Sequence, residues 1–378
     1  MQPVHDVTLF IDPFSYHFKN DRLFDGAMAQ LGGDNHMAPI VYLHNWLTAR
    51  GIRVHTADYL LRGERCSRKN LYISFGIWDN CRKLAKRPNV TLSAFFAFEC
   101  PNVDPAMYLE LTRIQEYVKR VYSFSDSEGL EPFLRGPLAC RQFQIPQSFD
   151  GVREEMWSRE DRGFLVMINA NRLPCISVQE LYTERRRGIE FFGGTGDIDL
   201  YGHGWDGPPY KPSRIRLPGT IQRLRSRFLH YWQCLSPDPS LQAARRVWRG
   251  KTLNKGETLS KYTFALCFEN QILNGWITEK IFDCFFCGTI PVYWGAPDIE
   301  DYIPKECFID MRRFSGYPEL RSYLKSLRAS EIRAYREQAR AYLESPRYRP
   351  FTMQAFAELI GHIVEEDAGI CLGAPVSV

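Results

Sequence analysis

The chain has 378 residues, 44% apolar and 24% charged, with 48 Lys and Arg against 44 Asp and Glu. This length suits two domains of about 150 to 200 residues each, and the composition is that of a globular protein, not a disordered or fibrous one. No apolar run reaches the roughly 18 residues of a membrane-spanning helix. The start, "MQPVHDVTLFIDPF", lacks the basic-then-apolar pattern of a signal peptide, which predicts a cytoplasmic protein.

Short apolar runs alternate with helical patterns along the chain, the signature of an α/β fold with largely parallel sheets. The first half reads as strands at Val7–Ile11, Val54–Ala57, Leu71–Phe75, Leu92–Phe98 and Val121–Phe124, with helices at Met37–Ala49 and Ala106–Lys119. The polar stretch "DGVREEMWSREDRG", Asp150 to Gly163, breaks the pattern and predicts a boundary. It separates a first domain, residues 1–155, from a second, residues 156–345. The second reads as strands at Phe164–Asn169, Ile198–Tyr201, Phe264–Phe268, Ile290–Trp294 and Cys307–Ile309. Its helices fall at Val178–Phe192, Thr278–Cys287, Pro318–Leu327 and Glu331–Glu344. Residues 202–260, rich in Pro, Gly and Arg, read as a long insertion. Residues 346–378 hold an amphipathic helix, with Phe351, Phe356, Leu359, Ile360 and Ile363 on one stripe, that can leave its own domain and pack elsewhere.

Eleven cysteines are scattered without a paired framework, as expected of reduced thiols in a cytosol. The close pair Cys284 and Cys287 reads as two small residues packed in a helix. The charge is uneven. Between Gly202 and Gly256 there are eleven Lys and Arg against two Asp, more than the whole chain's surplus of +4. Such a patch points to a polyanionic partner. Interleaved aromatics are few and no nucleic-acid motif appears, so nucleic acid is not expected.

The densest chemistry lies in "KYTFALCFENQILNGWITEKIFDCFFCGTIPVYWGAPDI", Lys261 to Ile299. Asn274-Gly275 marks a turn, and Thr278 caps a helix whose first turn holds Glu279 and Lys280. A helix N-terminus has unpaired N–H groups and partial positive charge, so it attracts phosphate; Lys280 adds a full charge. Glu279 suits sugar hydroxyls. The strand before it ends in Glu269-Asn270, and the strand after it ends in Gly295-Ala296-Pro297, at the edge where open α/β sheets bind ligands. A capped core helix with an exposed ion pair is the plainer alternative.

These residues carry a resemblance. The stretch Lys261–Gly295 is similar to the donor-binding signature of the α-1,3/4-fucosyltransferases, glycosyltransferase family 10, of the soluble bacterial type without a membrane anchor. The resemblance implies a GT-B fold, with two Rossmann-like domains facing across a cleft, the donor in the second and the C-terminal helix packing back on the first. It implies GDP-fucose as donor, a glycan acceptor (oligosaccharide or lipid-linked), inversion at the anomeric carbon and no metal or other cofactor. Glu279, Lys280 and Asn270 match donor-contacting residues. Trp276 stands where the family more often has Tyr. One of Arg185, Arg186 and Arg187 would meet the pyrophosphate, with Arg185 favoured. Glu99, at the end of the apolar strand in "LSAFFAFECPNVDP", matches the family's Glu before Ser-Pro, with Cys100 in place of Ser; it is the expected general base. Alternatives are a relative using another GDP-sugar, or a binding protein without turnover, which would have no use for Glu99.

Two motifs are set aside. Asp197-Ile198-Asp199 has the spacing of a metal-binding pair but reads as a turn leading into a strand. "GGTG", Gly193–Gly196, follows a helix instead of opening one, so the phosphate-loop context fails. Finally, "TIQRLRSRFLHYWQ" sets Ile221, Leu224, Phe228 and Trp232 at helical spacing, with Arg223, Arg225 and Arg227 largely off that stripe. The stripe is expected mainly to dock on the second domain. A weak peripheral contact with an anionic membrane is the other outcome.

Overall fold

A computed structural model describes residues 5–26, 35–207, 209–211 and 239–374, together with 220, 221, 223, 224, 227, 228 and 231 of the stretch between. The chain divides into two compact units. The first comprises residues 1–101, 107–150 and 349–378; the second comprises 102–106 and 151–348.

The first unit is built on a six-stranded parallel sheet, ordered β2-β1-β3-β4-β5-β6. Its strands are β1 (Val7–Asp12), β2 (Arg53–Thr56), β3 (Lys69–Ser74), β4 (Val90–Ala97), β5 (Val121–Ser123) and β6 (Arg141–Gln142). Every residue of β1 is buried, as a strand covered on both faces requires. The Ala38–Thr48 helix contributes Ile40, Leu43 and Leu47 to the core. The C-terminal Met353–Ala368 helix belongs to this same core through Phe356, Ile360, Ile363 and Val364. Phe356 meets Phe75, Phe96, Phe98 and Phe143 at ring separations of 5.9, 6.0, 5.9 and 6.4 Å. An almost fully buried ion pair, Arg120 with Asp367 at 3.0 Å, fixes the helix's last turn. The exposed two-residue strand β6 carries no apolar run and was not legible in advance.

The second unit holds a five-stranded parallel sheet, ordered β11-β10-β9-β7-β8. Its strands are β7 (Gly163–Ile168), β8 (Ile198–Tyr201), β9 (Tyr262–Phe268), β10 (Ile290–Trp294) and β11 (Ile309–Asp310). Its core is formed by Leu165, Met167, Phe264, Leu266 and Val292 of the strands with Ile189 and Phe192 of the Tyr182–Thr195 helix. "GGTG" closes that helix, with Gly196 at φ +72° as its left-handed cap.

Each sheet has a position where the chain reverses its direction of strand addition. After β7 the chain adds β8 on one side and β9 on the other, so the second sheet reverses between β7 and β9. In the first sheet β2 and β3 flank β1, and the reversal lies between β1 and β3. Crevices at the carboxyl ends of such strand pairs are where open α/β sheets bind ligands. Among the described residues no helix is long and apolar enough to cross a membrane.

The basic insertion is described only in part. Its described members Ile221, Leu224, Phe228 and Tyr231 are helical and 47 to 66% exposed. The core beside β8 includes Leu241, Ala244 and Val247 of the Pro239–Val247 helix. Trp232 and Arg225 lie outside the described residues.

Candidate donor site at the β7/β9 crevice

The local sequence builds the site in a fixed order. β9 ends at Phe268, and Glu269 follows as a carboxylate with no exposed surface. Gly275, at φ +70°, turns the chain, its N–H donating to the Asp298 carboxylate at 2.9 and 3.0 Å. Thr278 then caps the Glu279–Cys287 helix, its hydroxyl accepting from the Lys280 N–H. The same hydroxyl and the Thr278 N–H both donate to Glu269 at 2.9 Å. Lys280 Nζ completes the cluster, 3.0 Å from Glu269 Oε2 and 2.8 Å from Thr278 Oγ1. The loop after β10 closes over it: a Cβ on Gly295 would lie 2.5 Å from Glu269 Cγ and 2.4 Å from the Tyr293 hydroxyl, so only glycine fits.

Burial disfavours charge on Lys280, but the Glu269 carboxylate, and after it Glu279, outweigh burial and hold the ammonium above the ordinary lysine value. Lys280 is therefore a fixed cation, while 27% of its side chain remains exposed.

Beside this cluster is a pocket of ≈ 90 Å³. It is lined by Met167, Ile168 and Asn169 at the end of β7, by Ala265–Phe268 of β9, and by Arg185, Lys255, Glu279, Lys280 and Asp283. It thus occupies the crevice at the sheet's reversal point. Its volume is far below the roughly 300–1,000 Å³ of a pocket that encloses a whole ligand. It suits one anionic group of a larger ligand lying across the sheet edge. Three cations line it, and the capped helix N-terminus adds partial positive charge.

The sequence left three arginines open, and the structure separates them. Arg185 lines the pocket and donates to Phe268 O at 2.6 Å and Asn270 Oδ1 at 2.8 Å. Arg186 donates instead to Asn171 and to Ser240. Arg187 pairs with Glu184 on an exposed face. Asn270 is thus the holder of Arg185. Trp276, 2% exposed, is buried and absent from the pocket lining. Glu279 is near two cations, Lys255 and Lys280, each at 3.8 Å. Glu99 belongs to the first unit, where it is an exposed residue just past the end of β4 whose backbone carbonyl accepts from Tyr108.

Sequence reading missed Lys255, Asn169 and Asp283. Lys255 opens a short helix capped by Asn254, and packing of that helix against the Glu279–Cys287 helix brings its Nζ to 3.8 Å from Glu279 and 3.7 Å from Asp283. Asn169 Oδ1 is buried without a hydrogen-bond partner. Such an acceptor costs about 1–3 kcal/mol unless a ligand donor meets it. The carboxylates of Asp197 and Asp199 are both engaged by cations, Asp197 with Arg321 and Lys325, Asp199 with Arg249.

Residues 240–344 match the family model of the glycosyltransferase family 10 (fucosyltransferase) C-terminal domain. The α-(1,3)-fucosyltransferase FucT of Helicobacter pylori is 37% identical over 105 residues, 28% of this chain and 22% of that protein. GDP-fucose protein O-fucosyltransferase 3 of Xenopus laevis is 41% identical over 70 residues, 18% of this chain and 15% of that protein. The match thus spans less than a quarter of either relative. A crystal structure of an α1,3-fucosyltransferase superposes with a TM-score of 0.50 at 15% identity, covering 95% of this chain and 90% of that one. An α-glucosyltransferase crystallised with UDP and DNA gives 0.52 at 14% identity, covering 95% and 99%. The fold is accordingly GT-B, two parallel-sheet α/β units, and the chain resembles the family 10 fucosyltransferases.

Proposed function

We propose, taking the family 10 match over residues 240–344 as premise, that this chain is an inverting glycosyltransferase moving L-fucose from GDP-β-L-fucose to a hydroxyl of a glycan, in α-1,3 linkage to GlcNAc or glucose. The observation that carries the reading is the convergence of Arg185, Lys255, Lys280 and a capped helix N-terminus on one pocket at the β7/β9 crevice. A nucleoside diphosphate leaving group gains negative charge as the glycosidic bond breaks. Fixed cations and N–H groups stabilise that charge in the transition state more than in the ground state, which is what lowers the barrier.

Arg185 and Lys280 are held by Asn270 and Glu269, so they are oriented before the donor arrives. Glu279 accepts from sugar hydroxyls of the donor, and Asn169 Oδ1 accepts another donor-side N–H or O–H. Glu99 is the general base. It takes the proton of the acceptor hydroxyl as that oxygen attacks the anomeric carbon from the face opposite GDP, and the β-linked fucose becomes α-linked. With this set of cations on the diphosphate, the transfer requires no metal, and a chelator leaves turnover unchanged. Oligosaccharides and lipid-linked glycans are the acceptor classes, met in the cytoplasm, with weak peripheral attachment of the basic insertion to anionic membrane.

Calorimetric titration with GDP, GDP-fucose, GDP-mannose and UDP-glucose tests the donor. GDP-fucose should bind and turn over best. Equal or better turnover of GDP-mannose would move the chain to another GDP-sugar, and binding without turnover of any donor would make it a binding protein.

A further inference from the structure

From the carboxyl edge of the first sheet we infer that Phe14 and Tyr16 form the platform on which the acceptor glycan's sugar ring stacks, an inference that deepens the transferase reading and rests on it for the acceptor's identity. Among the described residues these are the two exposed large apolar side chains of the first unit, at 38 and 48%. Both lie in the segment leaving β1, whose last residue Asp12 pairs with Ser74 at the end of β3. That β1/β3 junction is where the first sheet reverses, the counterpart of the crevice that holds the pocket in the second.

The ring of Phe14 is fixed from below. It stacks on Phe75, just past β3, at 5.5 Å and 27°, and meets Phe98, just past β4, edge-on at 5.0 Å and 82°. A ring so held loses little entropy when a ligand packs on its exposed surface. Phe98 is the residue before Glu99, so the platform and the proposed base occupy one sheet edge of one unit. Tyr16 adds polar partners: its hydroxyl donates to Asp79 at 3.4 Å, and Lys19 Nζ lies 4.5 Å from its ring centroid. A rigid aromatic surface flanked by a carboxylate and an ammonium has the chemistry of a hexopyranose, whose C–H face packs on a ring while its rim of hydroxyls donates and accepts. A purely apolar partner would leave Asp79 and Lys19 without use.

The test is saturation-transfer NMR with N-acetyllactosamine and with lactose, at saturating GDP. Wild type should transfer saturation to sugar ring protons. Phe14→Leu, which keeps apolar packing without the ring, should raise Kd roughly three- to tenfold, the worth of an aromatic contact; Phe14→Tyr should restore it. GDP affinity, measured separately, should be unchanged in both variants. No transfer from either sugar to wild type, or unchanged sugar affinity in Phe14→Leu, would overturn the platform, as would failure of Phe14→Tyr to restore binding. Sugar binding without GDP binding would keep the platform and remove the donor reading instead.

Discussion

Lys280 Nζ lies 3.0 Å from Oε2 of Glu269, a carboxylate with no exposed surface. The two residues stand 11 positions apart in the chain and are joined by the Thr278 cap, so a single cluster stabilises the helix start and orients a cation toward the pocket. Lys280→Ala should therefore do two separable things. GDP binding should weaken by roughly 1.5–3 kcal/mol, the worth of hydrogen bonds to a charged group. The fold should lose about 3–5 kcal/mol, because Glu269 is left as a buried charge without its counter-ion. Adding Glu269→Gln to Lys280→Ala should recover part of the stability and none of the affinity. Denaturant titration and calorimetry read the two effects, and recovery of both together would contradict the division of roles.

Arg185 and Arg187 provide an internal comparison on one helix. Arg185→Ala should weaken GDP binding in the same range as Lys280→Ala, since its guanidinium lines the pocket. Arg187→Ala should leave it unchanged, because Arg187 pairs with Glu184 at the surface. The reverse order, read by the same calorimetry, would mean that the donor's diphosphate does not sit in this crevice.

Buried parallel strands read as continuous apolar runs, so ten of the strands were visible before the structure. The helix start at Thr278 was visible because capping is local chemistry. The choice among Arg185, Arg186 and Arg187 was not decided, because it depends on which helix face meets β9. Lys255 was hidden for a related reason, since its place in the crevice is set by packing of its short helix on the Glu279–Cys287 helix. Trp276 was expected on the donor and is buried, away from the pocket lining, and local sequence alone does not show which way its ring turns.

Asp12 gives a pH signature of the first unit. Burial pushes its carboxyl up to about 6, against the lowering effect of hydrogen bonds from Asn80 and Tyr72. The folded state therefore holds this proton more tightly than the unfolded chain. The stabilisation is complete below the unfolded value of 3.8 and is lost as pH rises through about 6. Unfolding free energy should carry a component on the order of 3 kcal/mol that falls between those limits. Asp12→Asn should flatten that slope. A slope unchanged in the variant would assign it to other groups.

Ile221, Leu224 and Phe228 are exposed on the basic insertion, which also carries Arg223 and Arg227. Each basic residue near an anionic surface contributes about 1 kcal/mol. Sedimentation with vesicles containing phosphatidylserine should show weak binding that high salt abolishes and that Arg223→Gln with Arg227→Gln reduces. Binding to neutral vesicles alone, or none at low salt, would remove the membrane contact.

Glu99→Gln should lower turnover by on the order of 100-fold or more, as loss of a general base does. Donor affinity should be nearly unchanged, because Glu99 is carried by the first unit and the donor cluster by the second. Near-normal turnover in this variant would take Glu99 out of the mechanism.

Fucosyl transfer from GDP-β-L-fucose with inversion has one direct readout. Incubating the protein with GDP-β-L-fucose and N-acetyllactosamine, and reading the anomeric proton of the product by NMR, tests it most directly. An α-linked fucoside should appear in step with GDP, in the presence or absence of chelator. A β-linked product, a strict requirement for a divalent metal, or no fucoside from any glycan acceptor would contradict it.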